Sequence, residues 1–97
     1  MIRIQIEDRS DITTLYVEGR IAGADVDELR RVWVDNRNGT PGKQTVIDLC
    51  SVRGVDSNGR QLLGEMHNWG TRLAGNGLII RPLIQEIITN DSFVETE

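Results

Sequence analysis

Apolar and polar residues alternate at the start of the chain, which is the period-two pattern of a half-buried β-strand. Three isoleucines alternate with polar side chains over residues 2–7, and a second run rich in β-branched and aromatic residues covers residues 12–18. The segment between the two runs, Asp8-Arg9-Ser10-Asp11, is rich in turn-forming residues. A connection this short predicts an antiparallel β-hairpin.

After Gly19 the apolar spacing becomes helical. Ala22, Val26, Leu29 and Trp33 recur at intervals of four, three and four residues, and glycine and proline at residues 39–42 end the run. Such spacing places one apolar stripe along an α-helix. Residues 44–50 then predict a third strand, whose nearly continuous apolarity is typical of a central strand covered on both faces.

A second amphipathic helix is predicted over residues 58–74, with Leu62, Met66, Trp69 and Leu73 on its apolar stripe. Gly75-Asn76-Gly77 is interpreted as the C-cap of that helix, leading into a short strand over residues 78–80. Pro82 fits the first turn of a third helix. We therefore expect a single domain over residues 1–97 with the α/β fold class, a sandwich built on a mixed four- to five-stranded sheet with about three helices.

Composition and charge narrow the possible functions. The 97 residues fit one domain, and their net charge of −4, with arginines scattered along the sequence, argues against a nucleic-acid partner. A lone cysteine, Cys50, excludes an internal disulfide or a cysteine-based zinc site. No apolar run reaches the roughly 20 residues that cross a bilayer, and the start lacks a signal-peptide core. We expect a cytoplasmic protein without direct membrane insertion.

Catalytic chemistry finds little support in the sequence. His67 has no Cys or His at ligand spacing, and it lies ten residues after Ser57 on one predicted helix, about 15 Å away along the axis. Gly39-Thr40-Pro41-Gly42-Lys43-Gln44 lacks the first glycine and the Ser or Thr of a phosphate loop. Both tryptophans and Cys50 are expected to pack in the core. We expect no enzymatic activity, no cofactor and no metal.

The segment Asp56-Ser57-Asn58-Gly59 lies where the second helix is predicted to begin. One interpretation is structural, with Asp56 or Ser57 capping the helix. The other is regulatory, because exposed N–H groups and the positive end of the helix dipole tolerate a phosphate at that position. On local sequence alone the capping interpretation is favoured, because capping sequences of this kind are common.

Four segments together resemble the STAS domain, the family of bacterial anti-sigma factor antagonists. They are Val17-Glu18-Gly19-Arg20-Ile21, Val46-Ile47-Asp48-Leu49-Cys50-Ser51-Val52, Val55-Asp56-Ser57-Asn58-Gly59 and Arg81-Pro82, in the family's order. The resemblance covers nearly the whole chain. It implies partner switching in transcription regulation: an anti-sigma factor that is also a serine kinase binds the protein and releases it after phosphorylating Ser57.

The resemblance also implies a partner-binding surface, formed by Arg53, Asp56, Ser57, Asn58, Gly59 and Arg60. Two residues depart from the family pattern: Asn58 replaces a Ser or Thr, and Arg60 replaces an apolar residue and would be able to pair with a phosphate. An alternative function is an assembly subunit of a bacterial phospholipid-transport ABC system, which docks on the ATPase subunit. The sequence identifies neither the partner nor the oligomeric state.

Overall fold

A computed structural model describes residues 2–39, 42–77 and 80–95 of the chain. The elements, in chain order, are β1 (Ile2–Asp8), β2 (Ile12–Ile21), α1 (Ala24–Gly39), β3 (Gln44–Val55), α2 (Ser57–Asn68), β4 (Arg72–Ala74) and α3 (Ile80–Glu95). The strands form one sheet in the order β1-β2-β3-β4. β1 pairs with β2 antiparallel, and β2–β3 and β3–β4 are parallel pairs. The predicted hairpin, mixed sheet and α/β class are confirmed.

The core lies between one face of the sheet and the helices. Alternate residues of β2 and β3, such as Leu15 and Ile47, are fully buried against apolar side chains of the helices, such as Trp33 and Leu62. The intervening residues of β3 are only half-buried or exposed. The prediction that β3 is covered on both faces is therefore wrong, because the opposite face of the sheet is open to solvent.

Two β-bulges interrupt the pairing of β3 with β2. β3 has 12 residues against the 10 of β2, and the register shifts twice along their pairing. At the first bulge the side chain of Asp48 accepts a hydrogen bond from the backbone N–H of Cys50, at 2.9 Å. Cys50 is exposed because it follows inward-facing Leu49 and therefore lies on the open face of the sheet, and the extra residue returns Val52 to the inner face. The prediction that Cys50 packs in the core is wrong for that reason.

The end of α2 differs from the prediction. The helix ends at Asn68, and Gly70 follows with a φ of 96°, a left-handed conformation that favours glycine and stops the helix. Leu73 belongs to β4, which pairs with β3. Gly75 and Gly77 therefore follow a strand and are not the C-cap of α2. Of the strand predicted over residues 78–80, the first two residues lie outside the described residues, and Ile80 begins α3.

Trp69 is the second correction to the predicted core. Its side chain is 64% exposed and lies against the guanidinium of Arg37, 3.9 Å from the ring centroid. On its other side the same guanidinium contacts buried Trp33 at 4.7 Å. The Nε1 of Trp33 donates a buried hydrogen bond to Thr71 at 2.9 Å. The helical spacing assigned Trp69 to the core, but the helix ends one residue before it.

The prediction of a third helix with Pro82 in its first turn is confirmed. Ile87 is buried, Leu83 and Ile84 pack partly buried against the core, and Ile88 is 41% exposed. This helix packs beside α2, and its Glu86 forms an ion pair with Arg60 in the first turn of α2.

Candidate partner-binding site

Asp56 is the N-cap of α2. Its backbone is extended, with φ −84° and ψ −176°, and its Oδ1 accepts a hydrogen bond from the N–H of Gly59 at 2.8 Å. This is the standard arrangement in which a capping carboxylate satisfies one of the helix's first N–H groups. The cap is therefore Asp56, and Ser57 is the first residue inside the helix.

The second carboxylate oxygen of Asp56 joins α2 to a distant loop. Oδ2 accepts a hydrogen bond from the N–H of Gly23 at 3.0 Å, and the N–H of Asp56 donates to the carbonyl of Ile21 at 3.1 Å. The amide of Gly23 and then that of Gly59 lower the pKa of Asp56 below its ordinary value, because both hydrogen bonds favour the carboxylate. The ends of β2 and β3 are thereby joined through one ionised side chain.

Gly59 allows the first turn of α2 to approach β2 closely. A Cβ atom built on Gly59 would lie 2.6 Å from the carbonyl oxygen of Ile21 and 2.7 Å from Cγ1 of Val55. Both distances are shorter than a real Cβ contact, so only glycine fits without movement of the backbone. Gly59 is buried, and its role in this structure is to bring the site residues against the sheet.

Ser57 and Asn58 are both exposed at the start of α2. Since Asp56 supplies the cap, the hydroxyl of Ser57 is not required for it. N–H groups at the beginning of a helix and the helix dipole favour a negative charge at this position. The arrangement can accommodate a phosphate on Ser57 without removal of the cap.

Arg60 is exposed and forms an ion pair with Glu86 of α3. Both side chains are about half exposed, so the pair is solvated. The sequence raised Arg60 as a partner for a phosphate on Ser57, and the structure gives it a carboxylate partner on another helix. Glu86 had no sequence signal, because the contact depends on how α2 and α3 pack.

Arg53 lies at a groove of about 500 Å³ at the end of the sheet, lined by Ile2, Arg3, Glu18, Gly19, Arg20 and Arg53. Three arginines that are far apart in the sequence thus lie around one groove with a single acidic residue. Arginines that are scattered along the sequence are therefore partly grouped in three dimensions. β1 is antiparallel to β2, and β2 is parallel to β3, so the start of β1 and the ends of β2 and β3 lie at the same end of the sheet.

Comparisons with solved structures identify the architecture. An anti-sigma factor antagonist from Mycobacterium paratuberculosis superimposes with a TM-score of 0.76 at 21% identity, over 93% of this chain and 81% of that chain. The anti-sigma factor antagonist SpoIIAA in its unphosphorylated form gives 0.60 at 16%, over 86% and 82%. The chain has the SpoIIAA-like fold. A third structure, Mglu, gives 0.60 at 23%, but 77% of this chain matches only 19% of that longer one.

No protein-family model and no curated protein matches the sequence. The SpoIIAA-like fold is therefore identified from structure, and it agrees with the fold expected from the resemblance to the STAS domain. In this SpoIIAA-like fold, Asp56, Ser57, Asn58, Gly59 and Arg60 are consecutive at the start of α2. Arg53 lies three residues before Asp56, near the end of β3.

Within residues 2–39, 42–77 and 80–95, no group of three or more His, Cys, Asp or Glu side chains is placed to hold a metal ion. Among the helices of the described part of the chain, none is long and apolar enough to cross a membrane.

The sequence analysis did not identify Gly23 and Arg20 as site residues, because they reach the site only through tertiary contacts.

Proposed function

We propose that this protein is an anti-sigma factor antagonist, a non-enzymatic interaction module that a partner kinase switches off by phosphorylating Ser57. Exposed Ser57 at the first position of α2, with the cap supplied by its neighbour Asp56, is the observation that carries the proposal. A kinase requires an accessible hydroxyl, and a switch requires that modification leave the fold intact. Separation of the cap from the modified residue meets both requirements.

Electrostatics explain how phosphorylation would release the partner. A phosphate adds about −1.5 to −2 charges and three acceptor oxygens at the surface that the partner contacts. Asp56 stays ionised beside it, since hydrogen bonds from Gly23 and Gly59 lower the pKa of its carboxyl group. The surface therefore changes from one negative charge to roughly three, and a partner surface fitted to a neutral hydroxyl is repelled.

Arg60 bears on the strength of this switch. An arginine three residues after Ser57 would offset a phosphate if its guanidinium turned towards it. The ion pair with Glu86 instead directs the guanidinium of Arg60 towards α3. We propose that Glu86 preserves the repulsive effect of the phosphate by holding Arg60. In the Glu86→Gln variant, phosphorylation would then weaken partner binding less than in the wild type.

The groove lined by Arg3, Arg20 and Arg53, the arginine groove, provides positive charge for the proposed contact with the partner. Arg20 and Arg53 are exposed at the carboxyl ends of β2 and β3, on a chain whose net charge is −4. A local positive surface on an acidic protein selects a partner with complementary acidic side chains. Arg53→Glu should therefore slow association with the partner, and the effect should diminish as salt screens the charges.

The proposal is tested by capture from the native host with mass spectrometry, followed by binding measurements with the captured partner. We expect an anti-sigma factor with kinase activity and phosphate on Ser57. Ser57→Asp should lose binding, Ser57→Ala should bind without being phosphorylated, and Ser10→Asp should bind normally. Ser10 is a matched control, because it is exposed and lies in the β1–β2 turn at the other end of the sheet.

Two results would contradict the proposal. Equal affinity of the wild type and Ser57→Asp for the partner would exclude a charge switch at this residue. Capture of an ABC ATPase with Ser57 unmodified would instead favour the transporter assembly subunit. Circular dichroism of each variant ensures that lost binding reflects the surface and not unfolding.

A further inference from the structure

The two edges of the sheet are protected to different degrees. β4 forms one edge with three residues, whereas β1 forms the other with seven residues, all paired in unbroken register with β2. Natural edge strands are blunted by short length, lysine, proline, a bulge or an inward-pointing charge. β1, with the sequence Ile-Arg-Ile-Gln-Ile-Glu-Asp, is long and regular and has no lysine or proline. Within the described part of the chain no strand lies beyond it.

The inner face of β1 also leaves an apolar side chain exposed. Ile6 pairs with Leu15 and Ile4 pairs with Val17, so both isoleucines lie on the side of the sheet that carries the core. Leu15 is fully buried, but Ile6 is 54% exposed because the helices do not extend over the edge. An added strand would cover Ile6 and would satisfy the outward N–H and C=O groups of β1.

We propose that β1 pairs antiparallel with β1 of a second copy of this chain, about a two-fold axis through Gln5. In this register the residues on opposite sides of Gln5 face each other. Arg3 faces Glu7 of the second copy on the open side of the sheet, and Ile4 faces Ile6 of the second copy on the core side. At the two ends of the pairing Ile2 faces Asp8 of the second copy. Two-fold symmetry makes each contact twice, so the central part of the strand, from Arg3 to Glu7, is complementary to itself in charge and in hydrophobicity.

Alternative registers lack the contact between Arg3 and Glu7. An axis through Ile6 places Gln5 against Glu7, and a shift by one residue brings opposite faces of the two strands together. An axis through Ile4 places Ile2 against Ile6, but it moves Arg3 opposite Gln5 and away from Glu7. Parallel pairing brings identical charges close to each other. Charge complementarity thus selects both the orientation and the register of the second copy.

The existing contacts of the two charged residues are compatible with the dimer. Arg3 is 3.8 Å from Glu18, and both side chains are largely exposed. The carboxylate of Glu7 accepts one hydrogen bond on each oxygen, from Tyr16 and from Arg9, each at 2.8 Å. A carboxylate has about four acceptor positions, so an arginine of the second copy can be added. Ser57 follows β3 and takes no part in this pairing. Arg3 also lines the groove assigned to the partner, so self-association is measured on the protein alone, which separates the inference from the proposed function.

Charge reversal combined with mixing tests the register. The dissociation constant of the dimer is measured by sedimentation equilibrium from micromolar to millimolar concentration. Arg3→Glu and Glu7→Arg should each weaken self-association at least about tenfold, because like charges then meet at both symmetric contacts. An equimolar mixture of the two variants should restore the dimer, since both symmetric contacts then join one carboxylate to one guanidinium again. The double variant should dimerise like the wild type.

Ile6→Lys tests the apolar part of the contact. A charge on the core side of an edge strand is a natural block to pairing, so this variant should remain monomeric. Ile88→Lys is the control, since Ile88 on α3 is comparably exposed at 41% and lies away from β1. A wild type that is monomeric at millimolar concentration would overturn the inference. A dimer that survives both charge reversals, or a mixture that stays monomeric, would also overturn it.

Discussion

Substitution of Gly59 by alanine tests the close approach on which the site depends. The added methyl would lie 2.6 Å from the carbonyl oxygen of Ile21, 2.7 Å from Cγ1 of Val55 and 3.0 Å from Cγ2 of Ile21. Overpacking costs about 1–3 kcal/mol, and a backbone carbonyl that cannot rotate away favours the upper end. Alanine regains up to about 1 kcal/mol of helix propensity. We expect a net loss of about 2 kcal/mol in the free energy of unfolding.

Gly64 provides the matched control, because it lies on the same helix and an added Cβ would meet no atom within 4 Å. Gly64→Ala should therefore stabilise the protein by about 0.5–1 kcal/mol. Both variants are measured by urea unfolding followed by circular dichroism. With a urea dependence of about 1–2 kcal/mol per molar, Gly59→Ala should lower the midpoint by about 1–2 M, and Gly64→Ala should raise it. A Gly59→Ala protein as stable as the wild type would refute the close-approach argument.

Three further predictions concern the cap and the contacts around Trp33. The pKa of Asp56 is lower in the folded protein than in the unfolded chain, where it is about 4, so the stability that its ionised carboxylate confers is fully present above that pH. This stability is lost as the pH falls through the folded pKa. The wild type should therefore have a higher urea midpoint than Asp56→Asn, and the difference should shrink below about pH 4. An advantage independent of pH would contradict this. Thr71→Val should cost about 1–3 kcal/mol, because the buried Nε1 of Trp33 loses its acceptor, and a loss below about 0.5 kcal/mol in urea unfolding would disprove that reason. Arg37→Ala should cost about 0.5–2 kcal/mol in the same assay and alter tryptophan fluorescence, because the guanidinium contacts both indole rings; unchanged fluorescence would contradict the contact.

Local patterns predicted the elements that depend on neighbouring residues. The alternation in β1 and β2 and the helical spacing in α1 were sufficient, since short-range periodicity reflects which face is buried. The start of α2 was also predicted, because a polar cap before an apolar stripe is a local signal. Local sequence could not decide between Asp56 and Ser57 as the cap. In the structure Oδ1 of Asp56 makes the capping bond to Gly59, and Oδ2 contacts Gly23, 33 residues earlier in the chain, which no local pattern reveals.

The predictions that failed depend on tertiary contacts. Leu73 continued the helical spacing of Leu62 and Met66, so the sequence did not reveal that Gly70 ends the helix and that residues 72–74 pair with β3. Trp69 lies outside the core because α2 ends at Asn68, and its ring packs against Arg37 of another helix. The arginine groove forms only after three strands have paired. A period measured along the chain carries no information about such contacts.

The bulges of β3 determine where this central strand tolerates the deletion of a residue. Deletion of Ile47 would shift every following residue to the other face of the sheet, burying charge and exposing the core. At the first bulge the opposite holds: without Cys50, Leu49 and Val52 would still point inwards with Ser51 between them. The deletion would remove the extra residue and the hydrogen bond to Asp48, while the apolar face stayed intact. Tolerance to deletion in this strand is therefore a property of position, and it is highest where the ladder is irregular.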